Sequence, residues 1–304
     1  MNKVVILLLL FISPSLYSQK TLTYDTDDNY IDKIFFVDST HFVIADNGYI
    51  KKYMYKESKP VAIDGITKNK IVSVDYKEDS KTFFIADDDN KIYSYNGSVK
   101  EQIFQNDKNI GDIALFEKGN KLLILNKENS ISILNIKNSE TQTIKLKSKP
   151  ISECIVNDSI IMVGDIKGNF YIINTFSSKI SSTLNISKYG LVSMNLNPSN
   201  NLIDIYSIDG KIQSYDVNSG VIYCSFSLRQ NLVFGRTFSN NLLVYSNEFG
   251  KTTIATVYRE YHYDVKSRIN DFKLIPELSK RRELSFVVAT KYRGIIFVRK
   301  DALN

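Results

Sequence analysis

Tryptophan is absent from the 304 residues, and the chain has only two histidines, two cysteines and five prolines. With His41 and His262 as the only imidazoles, far apart in the sequence, a His-dependent triad or a zinc site has little to be built from. Each is expected to be a strand residue with a satisfied ring nitrogen. No Gly-x-Ser-x-Gly run and no phosphate loop occurs. No stretch of twelve or more residues carries a 3.6-residue apolar period, so an amphipathic-helix fold is excluded. Long apolar runs are missing too. The one unbroken run, 4–12, is nine residues long, short of the roughly 20 that a membrane span needs. Lys3 precedes it and Ser13-Pro14-Ser15 breaks it. Residues 1–18 therefore read as an export signal cut after Ser18, and the remainder as a protein of the periplasm or the extracellular space with no membrane span.

What the chain does have is many short runs of Ile, Val, Leu, Tyr and Phe, separated by Asn, Asp, Gly, Ser and Lys. One tight hairpin recurs, anchored at Gly48, Asn90, Asn129, Gly168, Gly210, Gly250 and Gly294, at spacings of 39 to 44 residues. Gly and Asn tolerate the positive φ that such turns require. Each unit carries four strand-like runs. In the fifth these are 191–196, 201–208, 211–217 and 221–228, joined by Asn-Pro-Ser-Asn-Asn, Asp-Gly and Asn-Ser-Gly. Period, strand count and turn chemistry predict an all-β fold, a seven-bladed β-propeller of four-stranded antiparallel blades in one domain over 19–304.

The seventh unit runs out after three strands, while 21–26 is a spare strand ahead of the first unit. An unclosed ring would leave unpaired strand edges, so the N-terminal strand is expected to complete the last blade. On this layout Cys154 falls on an inner strand and Cys224 on an outer strand of the next blade. Both are expected to be buried free thiols, because a bridge needs Cα atoms within about 7 Å.

The run SIDGKIQSYDVNSG at 207–220 resembles the end of a WD repeat, with Tyr215-Asp216 in place of Trp-Asp. Leu134-Asn135 and Ile173-Asn174 sit at matching places, although the family's Gly-His pair is missing. Quinoprotein-like propellers share the hairpin pattern. The resemblance implies a WD-repeat-like or quinoprotein-like propeller, a fold that commonly serves as an interaction platform. Quinone-dependent members use an aromatic cofactor platform that is usually Trp, so no cofactor is expected here.

Aligning the seven inner strands puts Lys33, Ser73, Asp75, Asp112, Glu153, Ser193, Asn195, Arg236, Asp271 and Lys273 on one alternating face. Ile34, Val74, Ile113, Cys154, Met194 and Phe272 fall on the other. The polar set is expected to face the central channel and the apolar set to pack between blades. Lys33, Asp112, Glu153, Arg236 and Asp271 are the candidate binding residues there. A second candidate is Tyr258-Arg259-Glu260-Tyr261-His262, at the turn before the outer strand of blade six, since Tyr and Arg dominate binding hot spots. The acidic runs 25–29 and 87–90 lack the calcium-loop pattern and read as solvated turns, so no metal site is expected. Residues 266–304 hold ten basic and four acidic side chains, which accounts for the whole formal charge of +6. The expected function is a non-catalytic, monomeric platform for a protein partner, with no role in nucleic-acid binding. The competing expectation is an enzyme or small-ligand receptor at the channel mouth.

Overall fold

The computed structural model describes residues 19–27, 31–55, 57–228, 230–238, 242–255, 260–275 and 284–300. Residues 1–18 (expected to be an export signal), Tyr258, Arg259 and the basic triplet at 280–282 lie outside the described residues. Alternating strands and turns fold into seven four-stranded antiparallel sheets, each in the order inner, second, third, outer strand. The inner strands are Ile34–Phe36, Ile71–Lys77, Ile110–Phe116, Pro150–Asn157, Leu191–Leu196, Phe234–Phe238 and Ile269–Leu274, which define blades 1 to 7.

Six of the seven anchor residues adopt positive φ, between 62° and 88°. Asn129 does not; there the turn closes through a bond from the Ser130 amide to the Glu128 carbonyl, 2.8 Å. At Gly168 and Gly210 the need for glycine is also steric. A Cβ on Gly168 would lie 2.2 Å from the Ser187 carbonyl oxygen, and one on Gly210 would lie 2.3 Å from that of Gln230. Both carbonyls belong to the connection leading into the next blade, which presses on the hairpin tip.

The core is divided among the blade junctions. Seven apolar clusters are present, one between each pair of neighbouring blades. The ring closes as the spare strand predicts. Gln19–Thr23 pairs antiparallel with Ile295–Lys300, from Gln19 opposite Lys300 to Thr23 opposite Ile296. Tyr24 follows and is 2% exposed, edge-on to Phe42 and Tyr53 of blade 1. Its hydroxyl donates to the Tyr55 carbonyl at 2.6 Å. The N-terminal segment therefore completes blade 7 and also plugs the junction with blade 1.

Both cysteines are free thiols. Cys154 is buried as expected, but Cys224 is exposed. It lies on the outer strand Val221–Ser227, every residue of which is exposed, because no further strand covers that edge.

Truncating Tyr24→Ala is expected to cost about 3–5 kcal/mol, a fall in Tm of roughly 10 °C by circular dichroism. Deleting 19–27 should cost more still, and more than removing a surface loop of equal length. An unchanged melting curve for the deletion would contradict closure through this strand.

Candidate functional site: the central channel

Each inner strand is laddered to its second strand on one edge only, so its other edge faces the propeller axis. Five of them carry a β-bulge after the first residue, at Ile71/Ser73, Ile110/Asp112, Pro150/Ser152, Leu191/Ser193 and Ile269/Asp271. The ladder fixes an unambiguous alignment. Ile34, Val74, Ile113, Glu153, Met194, Arg236 and Phe272 all pair with an Ile or Val of the second strand.

This register corrects the face assignment for two candidates. Glu153 and Arg236 occupy the rung that is apolar in the other five blades, and Cys154 shares a rung with Asp75 and Asn195. The cause is the bulge, which shifts the alternation by one residue. Blade 4 begins at Pro150, one residue earlier than its apolar run suggests, and no bulge interrupts the ladder of blade 6.

The polar residues do more than face water. Asp75 accepts from the Leu115 amide at 2.7 Å, and Ser73 from the Ile113 amide at 3.1 Å, both in the next blade. Ser152 donates to the Leu191 carbonyl at 2.5 Å. Asn195 binds both the amide and the carbonyl of Thr237, each at 3.2 Å. Asp271 accepts from the Ile34 amide at 2.9 Å. These side chains satisfy the unpaired inner edge of the neighbouring blade.

Lys33 reaches past blade 2. Its Nζ lies 2.8 Å from Asp112 Oδ1 and 3.1 Å from the Ile113 carbonyl. Across the channel, Arg236 approaches Asp271 Oδ1 at 3.4 Å and Lys273 approaches Oδ2 at 3.7 Å. These groups line a cavity of about 680 Å³ running down the axis. Lys127, Lys149 and Arg268 line its mouth, each just ahead of or behind a strand end on the same face.

Asp32 is a cavity residue that alternation misses. It holds the place of the bulge residues Val72, Gly111 and Ile151, where the strict two-residue period fails. A polar residue in that second position was the available signal. Its Oδ2 is closed off from solvent and has no hydrogen-bond partner. Burial, with the Asp112 carboxylate beside it, pushes the Asp32 carboxyl up to about 7. Burial and the same Asp112 push Glu153 up to about 8. Burial also raises Asp75, against the pull of Lys33. Desolvation alone would lower Lys33, but Asp112, Asp32 and Glu153 outweigh it and hold the ammonium well above its ordinary range.

A second polar motif sits at the hairpin necks. Asp87 accepts from Thr67 Oγ1 at 3.0 Å, from Tyr93 OH at 3.3 Å and from the amides of Asp89 and Lys91. Asp165 likewise accepts from Ser148, Asn169 and Tyr171. Burial acts to raise Asp165, but these donors prevail and hold it below the usual carboxylate range. Asp87 is fully buried, so the run at 87–90 is anchored at its first residue and not simply solvated.

The described blade-six candidates, Tyr261 and His262, are not brought to the channel. Tyr261 and His262 lie on the outer strand Glu260–Asp264, with His262 Nδ1 3.1 Å from Thr253 Oγ1. His41 is bound to Asp38 at 2.9 Å, also away from the cavity.

Sequence reasoning also missed a partial ring of large apolar side chains, interrupted at blades 2 and 3, on the face where the cavity opens. Tyr49, Ile166, Tyr189, Phe249 and Tyr292 are 41% to 69% exposed. Tyr49, Ile166, Phe249 and Tyr292 stand at second-to-third-strand hairpins, and Tyr189 on the connection into blade 5. Turn residues are read for backbone chemistry, which hides an aromatic at the tip. The chain matches no protein-family model and no curated protein.

The raised carboxyls set a pH dependence. In the folded protein Asp32 and Glu153 keep protons that the unfolded chain releases near ordinary carboxylate values. Their contribution is therefore complete at low pH and is lost as pH rises through about 7 and about 8. The Tm should be lower at about pH 8.5 than at about pH 5.5. Glu153→Gln should flatten that slope and raise the Tm at the alkaline end. A Tm that climbs across this window would contradict the assignment.

Proposed function

We propose that this propeller is a non-catalytic docking protein that works outside the cytoplasm and holds a protein partner on the face where the channel opens. The observation that carries this reading is the partial ring of Tyr49, Ile166, Tyr189, Phe249 and Tyr292, all exposed at hairpins or connections on one face. Exposed aromatics grouped on one face are the anchors from which protein interfaces are built. Lys127, Lys149 and Arg268 line the cavity on the same face, and Lys291 lies 4.9 Å from the Tyr292 ring centroid. The complementary partner presents apolar anchors fringed by acidic groups.

Neither histidine is near the cavity, which supports a binding role over catalysis there. Export rests on the apolar segment within 1–18. We also assign the blades to the WD-repeat-like kind over the quinoprotein-like kind. Tyr215-Asp216 at the place of Trp-Asp in the fifth unit supports this.

The test compares two surface variants. Tyr189→Ser/Phe249→Ser/Tyr292→Ser alters the ring; Val221→Ser/Phe226→Ser alters the exposed outer strand of blade 5. Both should melt within about 2 °C of the parent, since exposed positions contribute little to stability. Capture of the partner from extract of the native host should fall about tenfold or more for the ring variant only. Loss confined to the outer-strand variant would place docking elsewhere.

A further inference from the structure

The charges in the channel do not balance locally. Lys33 is taken up by Asp112 and the Ile113 carbonyl, and Arg236 and Lys273 by Asp271. Asp75 is satisfied by the amides of Tyr76 and Leu115. Two carboxyls are left over. Asp32 Oδ2 is buried with no partner, and no described residue donates to the carboxyl of Glu153. Glu153 also stands where other blades place Ile34, Val74, Ile113 or Met194, so an ionisable group has replaced a packing residue beside an open cavity.

The mouth has the opposite imbalance. Lys127 and Lys149 are exposed with no acidic partner among the described residues, and Arg268 Nε is buried without a hydrogen bond. Lys149 precedes Glu153 by four residues on the same chain segment; the bulge between Pro150 and Ser152 absorbs one step and leaves three rungs, a separation of about 10 Å. A cation alone would be opposed at the rim, and an anion alone would be opposed within.

We propose that the channel binds a zwitterion, with its ammonium group inward beside Glu153 and its carboxylate at the rim among Lys127, Lys149 and Arg268. The spacing favours a molecule whose charges are separated by several carbons, such as an ω-amino acid, over glycine. The same chemistry could be supplied by a free small molecule or by a partner's lysine flanked by acidic residues. Binding would ionise Glu153 and Asp32, whose carboxyls stand near 8 and 7, so protons leave as the ligand enters.

The site does not depend on the docking face, and calorimetry of the whole mature chain tests it with defined probes. These are 6-aminohexanoate, glycine, n-butylammonium, butyrate, and a capped peptide with one lysine between glutamates. The 6-aminohexanoate should bind at least about tenfold more tightly than glycine or either single-charge probe. Proton release should show as buffer-dependent heat near neutral pH, and affinity should rise from about pH 6 to about pH 8. Glu153→Gln should weaken 6-aminohexanoate and n-butylammonium and cut proton release, while Lys149→Ala/Lys127→Ala should weaken 6-aminohexanoate and butyrate. Tighter binding of the peptide would identify a protein source; tighter binding of 6-aminohexanoate, a small molecule. No heat from any probe, equal binding of butyrate and 6-aminohexanoate, or a Glu153→Gln protein that binds like the parent would overturn the site. Loss of partner capture in the ring variant with 6-aminohexanoate binding intact would separate this site from the docking face.

Discussion

Every blade ends inward on an unpaired strand edge, and that constraint governs the middle of the molecule. A backbone amide or carbonyl left unpaired in a buried place costs free energy comparable to a lost hydrogen bond. Seven such edges converge on one axis. The chain answers with short polar side chains on each inner strand that reach the next blade: Ser73, Asp75, Ser152, Asn195 and Asp271. Lys33 does the same over a longer distance by reaching the Ile113 carbonyl. Polar residues on the channel-lining strands are thus a structural requirement first, and a wet wall second. Any binding role must be carried by the groups that remain after this stitching.

The same reasoning explains how the ring holds together without a disulfide. Apolar burial is distributed over seven junctions, so each blade depends on both neighbours and none has a core of its own. Such an array is only as cooperative as its weakest junction. The junction between blades 7 and 1 joins segments far apart in sequence, and it carries a dense aromatic cluster of Tyr24, Phe36, Phe42, Tyr53 and Tyr55. Loop-closure entropy is largest there, and the packing is correspondingly heavy.

The architecture was legible because it is written in two robust periods, the forty-residue repeat and the two-residue strand alternation. Gly168 and Gly210 announce hairpins by type and position, and the missing fourth strand of the last unit points to the N-terminal one. The site was legible only in part. Lys33, Asp112, Glu153, Arg236 and Asp271 do converge on one cavity. Their rungs were harder to read, because a bulge adds one backbone residue without any fixed side-chain signature. Asp32 was lost for that reason, and Glu153 was put on the wrong face. Tyr171 was hidden differently: its hydroxyl serves a carboxylate six residues earlier, a spacing that neither period marks.

Glu153 shows where stability and function part company in this fold. Five of the seven residues on its rung are apolar and pack against a neighbouring blade, which is the choice that folding alone would make. A carboxyl there loses that packing, is desolvated, and sits near Asp112 and Asp32, so it resists ionisation. Stitching does not explain it, since it bonds to no neighbouring backbone. Nor does pairing, since Lys33 is held by Asp112. A group that makes the fold less stable as it ionises, and that lines a cavity, is the kind of residue whose placement a bound cation would justify.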